Sequence, residues 1–324
     1  MPALPRTFRR PVLLIVGCGD IGVRVVKLLA NRWRILVLSS SPERFEALRQ
    51  LGAVPLWGDL DDARTLARLG TLADAVLHLA PPPGHGAKDA RTGALIEALA
   101  RAGRVRRLVY ASTSGVYGDA GGARFDETRA VNPSTDRARR RVDAEARLRA
   151  YGRACGATVT LLRIPGIYAA DRIGGHPRER LLRGTPVLDA ADDVYTNHIH
   201  ADDLARICVA ALHRGRPQRV LHASDDSELK MGDYFDLAAQ LCGLPAPPRI
   251  SRTQAQQQLP ATLLSFMSES RRLDNRRLHS ELGFRLRYPT VHSGLLAGLT
   301  ALGGLGALAR LADPPAALKS PAGA

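Results

Sequence analysis

Five consecutive apolar residues, Val12-Leu13-Leu14-Ile15-Val16, run directly into Gly17-Cys18-Gly19-Asp20-Ile21-Gly22, and an amphipathic stretch from Ile21 to Ala30 follows. A short run with no polar alternation reads as a strand covered on both faces, and a helical period just after it reads as the first crossover. The three glycines at G-x-G-x-x-G spacing then have separate tasks. Gly17 permits the tight turn, Gly19 lets backbone approach a pyrophosphate, and Gly22 allows close packing of helix on strand. The first helical turn offers free N–H groups and a partial positive charge to the phosphates. The expectation is a dinucleotide site, for NADP or NAD, with Gly17, Gly19, Asp20, Ile21 and Gly22 as contacts.

Short β-branched runs alternate with helical stretches through the first two thirds of the chain. Val12-Val16, Ile35-Ser39, Val54-Trp57, Ala75-Leu79, Arg107-Ala111 and Thr158-Arg163 read as strands, and Ala87-Ala102 as a further helix. Such alternation gives an α/β fold, a Rossmann-type doubly wound parallel sheet. Beyond Arg163, glycines and prolines break the pattern, which resumes with a helix near His200-Ala201-Asp202-Asp203 and a strand over Arg219-His222. We expect an NAD(P)-binding core over 11–165, completed by about 198–223. A smaller C-terminal substrate lobe is expected from 166–197 and 224–302, with flexible ends at 1–10 and 303–324. Ser224-Asp225-Asp226-Ser227 is expected to cap the helix that begins near Lys230.

Composition narrows the partners. The formal charge of +15 comes almost wholly from arginines spread along the chain, with lysines only at 27, 88, 230 and 319, and the dense cluster Arg137, Arg139, Arg140, Arg141 reads as a solvated helix face. Nucleic acid is therefore not an expected partner. No stretch approaches the length of a membrane span and no secretory leader is evident, so a cytoplasmic location is expected. Cys18, Cys155, Cys208 and Cys242 lack paired spacing, which suggests reduced thiols with neither a disulfide framework nor a metal site. A homodimer is compatible with the sequence, which does not specify it.

The second strand bears on the choice of cofactor. An NAD-preferring site usually ends this strand on an acid that accepts hydrogen bonds from the 2′-hydroxyl. Here it ends Leu38-Ser39-Ser40-Ser41, and the next helix begins Pro42-Glu43-Arg44. Small hydroxyls at Ser39 and Ser40 with the guanidinium of Arg44 suit a 2′-phosphate, so NADP is expected ahead of NAD.

Further marks accumulate: Gly58-Asp59-Leu60, His78-Leu79-Ala80, Tyr110-Ala111-Ser112-Thr113-Ser114-Gly115-Val116-Tyr117-Gly118 and Asn197-His198-Ile199-His200-Ala201-Asp202-Asp203. With the glycine loop, these make the chain resemble an extended or atypical short-chain dehydrogenase/reductase, similar to nucleotide-sugar epimerases and dehydratases, over about residues 11–300. The resemblance implies that Asp59 and Leu60 sit at the adenine. It implies that Leu79, Ala80 and Pro81 pass beside the ribose and pyrophosphate, and that Ile164, Pro165, Gly166 and Ile167 flank the nicotinamide. Asp59 can equally cap the segment starting at Leu60. Thr113 stands where the family carries the hydroxyl that meets the reacting oxygen, with Ser112 and Ser114 as neighbours able to share the role.

The resemblance has a gap. The family's proton chemistry resides in a Tyr-x-x-x-Lys pair on the next helix. Aligning the family's following glutamate with Glu145 puts Arg137 at the tyrosine position and Arg141 at the lysine position; no tyrosine lies between Tyr117 and Tyr151, and no lysine between Lys88 and Lys230. Arginine keeps its proton and cannot replace a cycling tyrosine. Four residues apart, Arg137 and Arg141 share a helix face where they can bind cofactor phosphate or an acidic substrate, or stand solvated. His198 and His200 are alternative polar groups near the expected cleft. The sequence thus points to an NADP-binding oxidoreductase or epimerase-like enzyme acting on a small polar, nucleotide-linked substrate, with a non-catalytic NADP-binding sensor as the competing class.

Overall fold

The computed structural model describes residues 10–301. The flexible ends expected at 1–10 and 303–324 lie outside the described residues, but for Arg10. Seven strands form the central sheet: β1 (Val12–Val16), β2 (Arg34–Ser39), β3 (Val54–Trp57), β4 (Ala75–His78), β5 (Arg107–Thr113), β6 (Thr158–Ile164) and β7 (Arg219–His222). They pair in parallel in the order β7-β6-β5-β4-β1-β2-β3. The order reverses between β1 and β4, and at such a switch point a crevice opens beyond the carboxyl ends of the strands.

The apolar run of β1 shows why the sheet is covered twice. Leu13 and Ile15 point into a core shared with Val25, Val26 and Leu29 of α1 (Asp20–Leu29). Val12, Leu14 and Val16 point the other way, into a core with Leu95 and Leu99 of α2 (Ala90–Ala100) and Ala144 and Leu148 of α3 (Asp136–Cys155). The side-chain period of two sends alternate residues to opposite faces, so a strand with apolar residues throughout requires helices on both. Helix α4 (Ala201–Arg214) joins α1 on the first face through Leu204, Ile207 and Cys208. Each fully buried Leu or Ile contributes about 1.5–3 kcal/mol.

A third apolar cluster lies outside the sheet. Tyr168, Leu181, Val187, Leu188 and Val194 pack there with Met231, Tyr234 and Phe235 of α5 (Met231–Cys242) and with Val291 and Leu295 of α6 (Val291–Ala301). Local signals set the helix ends. Asp89 accepts from the Thr92 N–H at the start of α2, and Thr135 accepts from the Ala138 N–H at the start of α3. Gly156 and Gly243, both left-handed, end α3 and α5.

Three local expectations are corrected. Strand β5 runs on to Thr113 rather than stopping at Ala111, because Ser112 and Thr113 continue the register opposite Arg163 and Ile164. The Ser224–Ser227 segment does not cap α5, whose N-cap is Lys230. The Asp225 carboxylate instead accepts from the Ser227 N–H at 3.0 Å, and the Ser227 hydroxyl accepts from the Val291 N–H at 2.9 Å, holding the start of α6. Nor is the arginine cluster on α3 one solvated face: Arg140 is buried and donates to the Gly86 carbonyl, and Arg141 is half-buried.

Candidate functional site

The glycine loop closes the carboxyl end of β1. Gly17 has φ +84°, and a Cβ placed on it would stand 2.5 Å from the backbone N and Cα of Ala80. That approach is fixed from the other side, since the Leu79 and Ala80 N–H groups both donate to the Val16 carbonyl, at 2.8 and 2.9 Å. A Cβ on Gly19, by contrast, would meet nothing within 4 Å. Gly19 is also the N-cap of α1 and supplies no capping side chain. The N–H groups of Asp20, Ile21 and Gly22 consequently have no hydrogen-bond acceptor among the described residues. A bare helix start of this kind, facing open space, fits a diphosphate.

Around that loop stand the other residues the sequence points to for the dinucleotide. Arg44, in the short 3-10 turn Pro42–Arg44 after β2, donates from Nη2 to the Cys18 carbonyl at 2.6 Å, so its guanidinium lies on the glycine loop itself. Ser39 is half-buried at the end of β2, its hydroxyl accepting from the Ser41 N–H, and Ser40 is exposed beside it. Asp59 takes up its local turn, with Oδ1 accepting from the Asp61 N–H at 2.9 Å and its own N–H donating to Thr65; Leu60 is half-buried behind it. Pro81 is exposed at the end of the β4 loop.

A cavity of about 600 Å³ opens beyond the ends of β5 and β6. Its sheet-side wall includes Thr113, Ser114, Arg137, Arg141, Pro165, Gly166, Ile167 and His198, which the topology brings together from four separate segments. Ile164 is buried at the end of β6 and does not reach it. Thr113 caps the following turn, its Oγ1 accepting from the Gly115 N–H at 3.2 Å. Ser112 points the other way. Its hydroxyl donates to Glu145 Oε1 at 2.6 Å, and Glu145 accepts from Arg163 Nε and Nη2 at 3.1 and 2.7 Å, all three side chains buried. This network stiffens the end of β5 against α3 and positions Thr113, its neighbour on the opposite face.

On α3, Arg141 donates from Nη1 to the Ala111 carbonyl at 2.7 Å and to the Tyr110 hydroxyl at 2.9 Å. Arg137 lies one turn earlier, its guanidinium 5.1 Å from the ring centre of Phe266. Burial pushes the His198 imidazole down to about 4; its ring stacks on Tyr234 at 4.1 Å between centres, and its buried Nδ1 has no hydrogen-bond partner among the described residues. His200 does not line the cavity. Its Nδ1 accepts from the Asp202 N–H at 3.2 Å, which caps α4, and burial holds its pKa below the ordinary value.

The opposite wall was not legible in the sequence. Arg180 of the short helix Pro177–Leu182 sits 4.4 Å from the Phe235 ring centre, and burial lowers its guanidinium to about 10. His176, Arg183, Arg271 and Tyr195 complete that side. No motif marks these residues, because their proximity comes from folding of distant segments. The two regions are also joined by charge. Arg24 of α1 pairs with Asp20 at 3.1 Å, Asp171 at 2.6 Å and Asp202, while Arg172 pairs with Asp20 at 2.7 Å. The segment leading to the cavity's Gly174-Gly175-His176 rim is thereby attached to the first turn behind the glycine loop.

Residues 13–223 match the model of the NAD dependent epimerase/dehydratase family. The chain belongs to that family. Protein YeeZ of Escherichia coli strain K12 is 26% identical over 287 residues, which is 85% of this chain and 95% of that protein. A conserved protein of unknown function from Silicibacter pomeroyi superposes with TM-score 0.75 at 31% identity, covering 90% of this chain and 99% of its own. UDP-glucose 4-epimerase from Thermotoga maritima, solved with UDP-glucose, shares the fold at TM-score 0.74 and 20% identity, covering 90% and 98%. The Rossmann-type sheet and the dinucleotide loop of this epimerase/dehydratase family member thus agree with the class its sequence resembles. No helix of the described residues is long and apolar enough to cross a membrane.

Proposed function

We propose that this chain is a cytoplasmic NADP-binding oxidoreductase or epimerase-like enzyme that acts on a small polar, nucleotide-linked substrate between the Rossmann core and the smaller lobe built on α5 and α6. The observation that carries the reading is the bare start of α1: three N–H groups without acceptors among the described residues and open space over Gly19, at the switch point of a parallel sheet. Arg44 supports NADP ahead of NAD, because its guanidinium is held at the glycine loop and no acid ends β2. The family model supports a nicotinamide dinucleotide, and the UDP-glucose in the Thermotoga epimerase supports a nucleotide-linked substrate.

Bound, the dinucleotide would supply hydride transfer. The chain's own residues supply binding and orientation. Thr113 presents a hydroxyl to the cavity, within which a substrate oxygen can be oriented at about 2.6–3.2 Å. Ser114 stands next to it, whereas Ser112 is committed to Glu145. No side chain of α3 in the cavity wall can cycle a proton at neutral pH, since Arg137 and Arg141 stay charged. That observation favours a second reading, a non-catalytic NADP-binding sensor.

Calorimetric titration with NADP and NAD tests the cofactor assignment. NADP should bind more tightly, and Arg44→Ala should cost NADP about tenfold, the lower end for charge-assisted hydrogen bonds because Arg44 is exposed. NAD binding equal to NADP, or an Arg44→Ala variant with unchanged NADP affinity, rejects it. Hydride transfer followed at the nicotinamide absorbance across nucleotide sugars and small carbonyl compounds separates enzyme from sensor. Tight NADP binding without turnover of any compound supports the sensor.

A further inference from the structure

Five arginines line the cavity: Arg137, Arg141, Arg180, Arg183 and Arg271. Arg271 pairs with Glu269 at 2.6 Å, and the other four have no carboxylate partner among the described residues. Of those four, Arg137 and Arg141 share one face of α3 on the wall that also carries Thr113. The cavity's two acids are engaged elsewhere. Glu269 accepts from Arg271 and from the Ser134 hydroxyl at 2.6 Å, and Glu179 accepts from the Gly174 N–H at 3.3 Å.

Arg141 is also held in place. Both of its hydrogen bonds use Nη1, to the Tyr110 hydroxyl and the Ala111 carbonyl, and its guanidinium lies 5.5 Å from the Tyr110 ring centre. Nε and Nη2 carry no hydrogen bond among the described residues. A half-buried guanidinium fixed by one nitrogen, with its remaining donors free, is preorganised for a planar anion. Thr113 lines the same wall, two residues beyond the carbonyl that anchors Arg141. Arg137, one turn away, brings a second unanswered charge under the Phe266 ring.

We propose that Arg137 and Arg141 form an acid-recognition site at the reacting end of the cavity, so that the substrate is a nucleotide-linked sugar bearing a carboxylate near the carbon that reacts at Thr113. The proposal rests on the reading of the cavity as the site of a nucleotide-linked substrate and narrows it to an acidic one. It assigns the two arginines to selection of substrate, which asks nothing of them as proton carriers. Arg180 and Arg183, across the cavity, remain for the phosphates of the same ligand.

UDP-glucuronic acid and UDP-glucose differ by a carboxylate in place of a hydroxymethyl group and are the probes. Each is titrated calorimetrically into the parent protein, with and without saturating NADP, at fixed ionic strength. The parent should bind UDP-glucuronic acid at least about tenfold more tightly than UDP-glucose, and Arg141→Gln or Arg137→Gln should bring the two affinities within about threefold. The parent comparison needs no variant to fold, and Arg141→Lys, which keeps a charge, should retain part of the preference. Equal affinities in the parent overturn the inference while leaving the nucleotide-linked reading intact. A preference that survives both glutamine variants overturns the assignment to this pair. If neither compound binds, with or without NADP, both the inference and the substrate reading fail; failure of NADP alone to bind removes only the cofactor reading. Weakened NADP binding in the variants without any preference for the acid in the parent assigns the pair to the cofactor and also overturns the inference.

Discussion

Two glycines of the same loop should respond to alanine in opposite ways. At Gly17 the chain is left-handed, with φ +84°, and an added Cβ would lie 2.5 Å from the Ala80 backbone, which cannot retreat without breaking the paired N–H donations from Leu79 and Ala80 to Val16. A left-handed alanine costs about 1–3 kcal/mol and overpacking about 1–3 kcal/mol more, so Gly17→Ala should lose about 2–6 kcal/mol of folding stability. At Gly19 φ is −80° and the added Cβ meets nothing within 4 Å. Gly19→Ala should therefore cost under about 1 kcal/mol in the free protein, the difference between glycine and alanine at an N-cap. Its methyl group would occupy the space over the bare helix start, and NADP affinity should fall at least about tenfold, or about 1.4 kcal/mol. Urea unfolding without ligand measures the first pair of numbers, and calorimetric titration with NADP the second. A Gly19→Ala variant that binds NADP like the parent would refute the placement of the phosphates. A Gly17→Ala variant as stable as the parent would refute the close approach to Ala80.

Three further outcomes are expected. Arg163→Met leaves the buried Glu145 carboxylate without its cation and should cost about 3–5 kcal/mol in urea unfolding, whereas pairing it with Glu145→Leu should recover most of the loss; a single variant of parental stability contradicts the burial of the pair. Burial pushes His222 and His198 down to about 4 and His78 down to about 3, so each is neutral in the fold and takes up a proton on unfolding below 6.5. The unfolded chain then binds more protons, and stability should fall as pH drops from about 6.5 toward 4. A flat unfolding midpoint across that interval rules the assignment out. Thr113→Val keeps the shape and removes the hydroxyl, so turnover of any substrate found should drop about 10²-fold or more with NADP affinity little changed; undiminished turnover removes Thr113 from the chemistry.

The sheet was readable because its information is local. An uninterrupted apolar strand, a glycine loop at fixed spacing and alternating periods each report on a few neighbouring residues; the seven-strand order is a matter of pairing between distant strands, which no local signal carries. Strand β5 outran its apolar signal, since Ser112 and Thr113 continue the ladder through backbone pairing that side-chain polarity does not reveal. The same alternation separates the two hydroxyls: Thr113 lines the cavity while Ser112 turns to Glu145, 33 residues away. His198 and His200, two apart, share one side of a short strand, with the Tyr168 ring close to both, yet only His198 lines the cavity while His200 caps a helix. Arg180 could not be found from sequence, because its place beside Phe235 depends on the packing of two distant helices.

The charged joint around Arg24 bears on how this scaffold can be altered. Anyone seeking to change what the cavity accepts would exchange the glycine-rich rim around residues 170–176, which is short and faces the opening. Asp171 and Arg172 travel with that segment, and they are partners of Arg24 and Asp20 in the helix that starts at the glycine loop. A transplant that omitted them would leave Arg24 with Asp20 and Asp202 alone and would strip Asp20 of its second cation. The graft would then be judged a failure of substrate design when its first effect is on the seat of the dinucleotide. Rim and helix therefore form one replaceable unit, whose boundary runs through α1 instead of at the loop's own ends.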